Sequence, residues 1–447
     1  MRLTSRLATS IALLALGAAL FRPVHAREGF RIASVRPPNP DSPRARERET
    51  QLIVQFREQA GERDVARVAR EAGAARVRRS AFGNRHLVDL DAGFTTGEAM
   101  RRLAQAPEVE YAELNGAVHA FFTPNDRFYL SQWNFRMLDA ERTWDIQKGD
   151  PSVVVAILDT GIAYEDFGPY RKAPDFGGTV FVPGHDFINE DEHANDDNFH
   201  GTHVASTVAE ATDNTEGVTG FAFRCALMPV KVLDSNGDGS FFDVAEGIDF
   251  AARNTSVKVI NLSLGGDGNS NTVRAAVDRA VAAGITVVAA AGNDSRGTIS
   301  FPAALPNVIA VGAVDGRKQK APYSNFGPEL DLMAPGGDNR RDDTGPNGVP
   351  DGRPDGILQQ TLDPDSAERG IFDDFGYFFV TGTSQATPHV SALAALLYRQ
   401  GITNPAAVKA AMEQTAEDLG AAGRDDTFGN GLIRPSLALK GLGLNLK

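Results

Sequence analysis

The chain has 447 residues, 42% of them hydrophobic, enough for a sizeable core and more than one folding unit. Its formal net charge of −13 argues against nucleic acid as a partner, and a single cysteine excludes an internal disulfide framework. Stability must come from the core or from bound ions; Cys225, set among apolar residues, reads as a buried and inert thiol.

Met1–Ala26 has the pattern of a secretory signal. Arg2 and Arg6 give the charged start, Ala8–Leu20 an apolar run too short to span a bilayer comfortably, and Val24-His25-Ala26 small residues at the cleavage positions. No later stretch is long and apolar enough for a membrane helix, so the expectation is a secreted, soluble protein with no membrane partner. Residues 27–120 carry 16 Arg, no Lys and 14 acids; residues 121–447 carry 26 Lys or Arg against 44 Asp or Glu. A basic segment before an acidic one suggests two units that attract each other.

Arg27–Glu49, rich in Arg and Pro, reads as a disordered lead-in. Gln51–Glu113 reads as a small α+β unit. Its strands are Gln51–Phe56, Ala75–Arg79, His86–Leu90 and Val109–Ala112, and its helices Asp64–Ala72 and Thr96–Ala104. The order β-α-β-β-α-β is the split βαβ motif. Ala120–Arg127 has turn chemistry and reads as an exposed linker, with a processing site somewhere in residues 113–124.

Beyond it, Ser152–Ile157 is a continuous β-branched run, the kind buried on both faces of a parallel sheet. Similar runs follow at Ala226–Leu233, Val257–Leu262, Thr286–Ala291 and Val308–Val314. Helical stretches at His203–Glu210, Phe242–Ala252 and Val273–Ala283 alternate with them. The expected fold is α/β, a parallel sheet with helices on both faces, with sites at the carboxyl ends of its strands. Gly336–Asp374 reads as loop. Thr381–Leu397 reads as a tight turn and a buried helix, with Pro388 near the first turn, where a missing N–H costs least. Asn404–Thr415 reads as a further helix.

Three motifs carry chemistry. LDTG puts Asp159 at a strand end, NFHGTHVAS puts His200 where a loop enters a helix, and GTSQATPHV puts Ser384 at a helix N-terminus. Singly, each has a plainer reading: a turn aspartate, a packed or surface histidine, a helix cap. Together they supply a weak nucleophile, a base able to take its proton near neutral pH, and a carboxylate to orient that base. Asn293, after the strand TVVAAAG, is placed to donate to a developing oxyanion beside the Ser384 N–H, although alone it too reads as a turn.

Residues of about 125–440 resemble the catalytic domain of subtilisin-like serine proteases, in the order Asp…His…Ser and in NLSLGG (Asn261–Gly266), SFPA (Ser300–Ala303) and FGNGLI (Phe428–Ile433). The unit before them, with QLIVQF and RRLAQAPEVEYAELN, resembles the inhibitory prodomain of that family. The resemblance implies His200 as base and His203 as a structural neighbour. It implies that Ser263, Leu264 and Gly265 form an edge for an extended substrate, and that Gly265, Gly266, Ala290 and Gly292 line a specificity pocket. It implies calcium, with Asp126, Asp175 and Asn214 as side-chain ligands and backbone oxygens from Thr212, Glu216 and Val218. The chain departs from the family at Phe199, where Gly is usual, at Ser206 for Gly, and at Gln385 for Met; Phe199 is expected to reshape or cover the pocket beside His200.

Two other acidic loops are weaker candidates. Asp234–Ser240 begins like an EF-hand loop but has Ala245 where the closing Glu belongs. Asp342–Asp355 could hold a metal or be plain surface turns. An esterase is disfavoured because G-x-S-x-A replaces the G-x-S-x-G elbow, and a dinucleotide site because the glycine fingerprint is missing after the first strand. A non-catalytic relative is disfavoured because all four reactive positions are filled. The expectation is a secreted, calcium-stabilised serine endopeptidase acting on protein or peptide substrates. It would be organised as signal peptide (1–26), self-inhibiting propeptide (27–120) and catalytic domain (121–447), with nothing to suggest more than a monomer.

Overall fold

The computed structural model describes residues 50–116, 122–342 and 352–441. The signal-like segment, the lead-in and residues 343–351 of the second acidic loop lie outside the described residues. The described residues form two compact units, one of residues 50–116 and one of residues 122–441.

The first unit runs β1 (Gln51–Phe56), α1 (Glu62–Glu71), β2 (Ala74–Arg79), β3 (Arg85–Leu90), α2 (Thr96–Gln105) and β4 (Val109–Leu114). Its antiparallel sheet has the order β2-β3-β1-β4. The alternation of QLIVQF has a direct cause: Leu52, Val54 and Phe56 point at one face and are buried with Val65, Val68 and Leu103 of the helices. α1 starts two residues before its apolar spacing suggests, because the Asp64 carboxylate accepts the Gly61 N–H and closes the first turn.

The second unit opens with two short helices, α3 (Trp133–Met137) and α4 (Ala140–Ile146). It continues through β5 (Val154–Asp159), β6 (His185–Asp186), α5 (His200–Ala209), β7 (Ala226–Lys231), α6 (Phe241–Arg253), β8 (Val257–Leu262), α7 (Asn271–Ala282), β9 (Thr286–Ala290) and β10 (Val308–Val314). It ends with β11 (Leu332–Pro335), β12 (Ile357–Leu362), α8 (Pro364–Glu368), β13 (Phe375–Val380), α9 (Thr383–Arg399), α10 (Pro405–Glu413) and α11 (Pro435–Lys440). β5 to β11 form one seven-stranded sheet in the order β11-β10-β9-β8-β5-β7-β6, and every neighbouring pair is parallel. β5, β7, β9 and β10 are buried along their whole length, which is why they read as unbroken apolar runs rather than alternating ones. Helices α5 and α9 pack on each other, and so do α6 and α7, each pair against the central strands. Among the described residues no helix is long and apolar enough to cross a membrane.

Three expectations need correction. Gly336–Asp374 is not all loop: it holds β12 and α8, and β12 pairs with β13 as an antiparallel hairpin. The Asp, Gly and Pro residues around the hairpin hid a strand that is fully buried. Residues 122–127 are not an exposed linker, since Phe122 and Asp126 are buried. Pro388 is the sixth residue of α9 rather than a first-turn residue, so the carbonyl of Ser384, four residues back, loses its helical donor.

Candidate active site

The sheet places the site. The strand after β5 in the chain lies on one side of it, and β8 on the other, so the order reverses there and a crevice opens at the carboxyl ends. Asp159 is the last residue of β5, Ser263 follows β8 directly, and Asn293 lies three residues past β9.

His200 is the first residue of α5 and is drawn onto Asp159. Its Nδ1 is hydrogen-bonded to Asp159 Oδ1 at 2.7 Å, and the Thr160 N–H donates to the same oxygen at 2.8 Å. This closeness requires Gly201. A Cβ there would lie 2.1 Å from the Gly161 carbonyl oxygen and 3.1 Å from Asp159 Cβ. Burial works to lower the His200 pKa, but the Asp159 charge and hydrogen bond outweigh it, and the net shift is upward. Asp159 itself is fully buried, and His200 is the part of the pair that reaches the surface.

Behind this pair is a buried polar frame that sequence reading missed. Asp196 accepts from Thr160 Oγ1, from the Asn198 and Phe199 N–H groups, and from the Thr202 N–H and hydroxyl. Lys231, at the end of β7, is buried and bonded to Asp197, Thr160 O and Leu233 O. The only hint in the sequence is the Asp196-Asp197 pair just before the histidine motif, and no spacing rule ties it to Lys231.

Ser384 is the second residue of α9. Its hydroxyl donates to the Ser263 carbonyl at 2.9 Å rather than to the His200 ring. The Ser263 hydroxyl in turn donates to the Ser384 carbonyl at 2.8 Å, replacing the donor that Pro388 lacks. Ser263 Oγ accepts from Asn261 Nδ2, whose amide oxygen accepts from Ser391 Oγ. The end of β8 is thereby bolted to the start of α9.

Asn293 Oδ1 accepts from both the N–H and the hydroxyl of Thr383, at 2.8 and 2.9 Å. The amide is held, and its Nδ2 is the donor left over. Gly292, at φ +106°, keeps the turn before it tight, because a Cβ would meet Ser300 Oγ and Asn325 Nδ2 at 2.3 Å.

These residues line one groove of about 1080 Å³. Its walls include His200, Ser384 and Asn293, together with Ser263, Leu264, Gly265, Gly266, Ala290 and Gly292. Phe199 lines it too, beside His200. The Phe199 backbone has φ +151°, strained for a bulky residue, and its carbonyl is held by Thr361 Oγ1 of β12. His203 is buried one turn along α5 and bonded to the Ile357 carbonyl, with its pKa pushed down by burial to about 3. A nucleophilic hydroxyl, a carboxylate-bound imidazole and an amide donor in one groove can carry out acyl transfer.

The residues considered for calcium gather elsewhere. Asp126 and Asp175 are buried, and burial raises their pKa values to about 7 and about 6. Asp126 Oδ2 accepts the Asp213 N–H, while Oδ1 is buried with no hydrogen-bond partner. Asn214 Nδ2 donates to Asp175 Oδ1, and the Val218 N–H to Asp175 Oδ2. The Glu216 carbonyl accepts from the Arg127 N–H, and the Thr212 hydroxyl is bonded to Glu210 O. Among the described residues no three His, Cys, Asp or Glu side chains converge as a metal cluster. The loop Asp234–Ser240 is closed by its own bonds, with Asp234 Oδ1 accepting from the Asn236 and Asp238 N–H groups.

Comparison with known proteins places the chain in a family. Residues 150–431 match the subtilase family, Peptidase_S8, and residues 36–115 match the fervidolysin N-terminal prodomain. A thermophilic serine proteinase of Bacillus sp. (strain AK1) is 36% identical over 385 residues, covering 85% of each chain. An extracellular protease of Xanthomonas campestris pv. campestris is 34% identical over 402 residues, covering 79% of this chain and 63% of that one. In structure, a protease of Pseudoalteromonas arctica matches with a TM-score of 0.62 at 30% identity, covering 71% of this chain and 99% of the other. The chain belongs to the subtilase family and is a serine endopeptidase preceded by a fervidolysin-type prodomain.

Proposed function

We propose that Asp159, His200 and Ser384 are the catalytic triad of this endopeptidase and that Asn293 and the Ser384 N–H form its oxyanion hole. The reading rests on one observation above the others: a buried carboxylate holds Nδ1 of His200 at 2.7 Å, at the edge of the groove that also carries Ser384. That bond fixes the tautomer in which Nε2 is free to accept a proton. An extended substrate enters along Ser263–Gly265, and one of its N–H groups takes the Ser263 carbonyl. The Ser384 hydroxyl is then released toward Nε2. Its oxygen attacks the scissile carbonyl, His200 takes the proton, and Asn293 Nδ2 stabilises the oxyanion. His200 returns the proton to the leaving amine, and water resolves the acyl-enzyme by the same route in reverse.

The same reading makes the chain a secreted precursor that processes itself, with residues 27–120 as inhibitor until cleavage. The signal-like Met1–Ala26, the prodomain match and the extracellular relative support it. Calcium fits the segment around Asp126, Asp175 and Asn214. The partnerless buried oxygen of Asp126 and the hard oxygen donors of three separate segments suit it, and it would tie residue 126 to the Thr212–Val218 loop. Asn214 must then turn its amide oxygen inward.

The test is to express the precursor and its Ser384→Ala form side by side and follow intact mass. Wild type loses the N-terminal unit and the variant stays full length; processed, active Ser384→Ala protein would overturn the assignment.

A further inference from the structure

We propose that Asp196 is a second carboxylate of the active site, a positioning residue that fixes His200 against Asp159 through the backbone and acts on the imidazole by its charge. This rests on the triad reading above. Asp196 is 1% exposed, and its two oxygens take five donors. Oδ1 accepts from Thr160 Oγ1 at 2.8 Å and from the Asn198 and Phe199 N–H groups at 3.0 and 3.2 Å. Oδ2 accepts from the Thr202 N–H at 2.9 Å and from its hydroxyl at 2.6 Å.

These partners straddle the Asp159–His200 pair. Phe199 precedes α5, His200 opens it, and Thr202 is its third residue, so Asp196 takes N–H groups that the first turn leaves without helical partners. The Gly201 N–H, on the same turn, donates to Thr160 Oγ1 at 2.9 Å, and that hydroxyl directs its own hydrogen to Asp196. Thr160 adjoins Asp159 and donates its N–H to Asp159 Oδ1, the oxygen that holds His200 Nδ1. One carboxylate therefore ties the end of β5 to the start of α5, and with them the two side chains that meet at 2.7 Å.

The donors also fix its charge. Both threonine hydroxyls already accept an N–H, Thr160 from Gly201 and Thr202 from Ala163, so their hydrogens point to Asp196. A protonated acid would have a hydrogen facing donors alone, so Asp196 is held as a carboxylate although burial opposes it. Of the elements packed against α5, β5 brings Asp159, β7 brings Lys231, and β12 brings no titratable side chain. α9 brings His389, Tyr398 and Arg399, the last two bonded to the Gly284 carbonyl and to Asp150. Lys231 spends its ammonium on Asp197 and on the Thr160 and Leu233 carbonyls. Burial keeps His203 and His389 neutral, with pKa values pushed down to about 3 and about 4. Asp159 and Asp196 are the charges that favour an imidazolium at His200.

Kinetics and a titration test this. Asp196→Asn keeps the size and one acceptor but removes the charge. His200 then loses a charge that favours its protonated form. The acid limb of kcat/KM should move to lower pH by about half a pH unit or more, and kcat should fall about tenfold. Proton NMR of the His200 ring in the Ser384→Ala chain, with and without Asp196→Asn, reads the same shift without turnover. A lower Tm with an unmoved midpoint, as a merely structural residue gives, would overturn the proposal. Thr160→Val keeps the charge and cuts the link, so kcat should fall about tenfold with the midpoint in place. Thr160→Ser, which keeps the hydroxyl, should restore it. An unchanged kcat in Thr160→Val would overturn the positioning, whether or not Asp196→Asn folds. His200→Ala separates this proposal from the triad reading. If that variant stays active, the triad assignment fails; if it is inactive while Asp196→Asn keeps the wild-type profile, only the role of Asp196 fails.

Discussion

The hydroxyls of Ser263 and Ser384 each donate to the other residue's backbone carbonyl, at 2.8 and 2.9 Å. One bond repairs a helix defect made by Pro388, and the other holds the proposed nucleophile away from its base. The proposed substrate-binding edge and the proposed nucleophile are thus one hydrogen-bonded unit.

Ser263→Ala should leave the Ser384 carbonyl buried and unpaired, which costs about 1–3 kcal/mol. Pro388→Ala returns a helical N–H to that carbonyl. Denaturant unfolding of the two single variants and the double variant should therefore show non-additivity, with the double variant more stable than Ser263→Ala alone. Strict additivity would mean that the two residues do not share this carbonyl.

Asn293→Ala should lower kcat by roughly a hundredfold or more with little change in KM, the loss that removal of one oxyanion donor causes in this family. Steady-state kinetics on a peptide substrate measures it. Because Asn293 also holds Thr383, Asn293→Asp keeps that acceptor and separates the donor from the scaffold.

Activity should rise with pH through a midpoint above 6.5, because His200 must be neutral to act as base and the Asp159 charge raises its pKa. Below that midpoint the imidazolium is retained and turnover falls. A pH profile of kcat/KM for the mature enzyme checks the sign; a midpoint below 6.5 would contradict it.

Phe199→Gly should relieve the strain of φ +151° while removing an aromatic wall of the groove. The expected outcome is a gain in stability of about 1 kcal/mol and altered kcat/KM ratios across a peptide library. Thermal melts and library kinetics report the two effects separately.

Chelation should lower the Tm of the mature enzyme, and added Ca2+ should restore it, since an ion held by the fold stabilises only the folded state. Asp126→Asn should reduce that Ca2+-dependent shift. An unchanged Tm in excess chelator would remove calcium from Asp126 and Asp175.

Most of the sheet was legible because buried parallel strands such as Thr286–Ala290 and Val308–Val314 are unbroken, uncharged and rich in Val, a pattern that suits a strand covered on both faces. β12 was not, because ILQQTL carries three polar residues in succession, Gln359, Gln360 and Thr361, that are buried only through partners far away in the chain. Gln360 is bonded to the Asp175 N–H and to Tyr377, and Thr361 to the Phe199 carbonyl.

The site divides in the same way. Asp159, His200, Asn293 and Ser384 stand out in the sequence as candidates because acyl transfer uses those residue types, and the structure sets them beside glycines, such as Gly201 and Gly292, where the backbone comes close. The Asp196 and Lys231 frame and the Ser263–Pro388 repair could not. Each is a pairing between segments far apart in sequence, made by buried groups that must find partners once water is gone. Local sequence determined which elements form and which groups could react; the packing of those elements decided which polar atoms meet, because only the folded chain removes the water that would otherwise serve them.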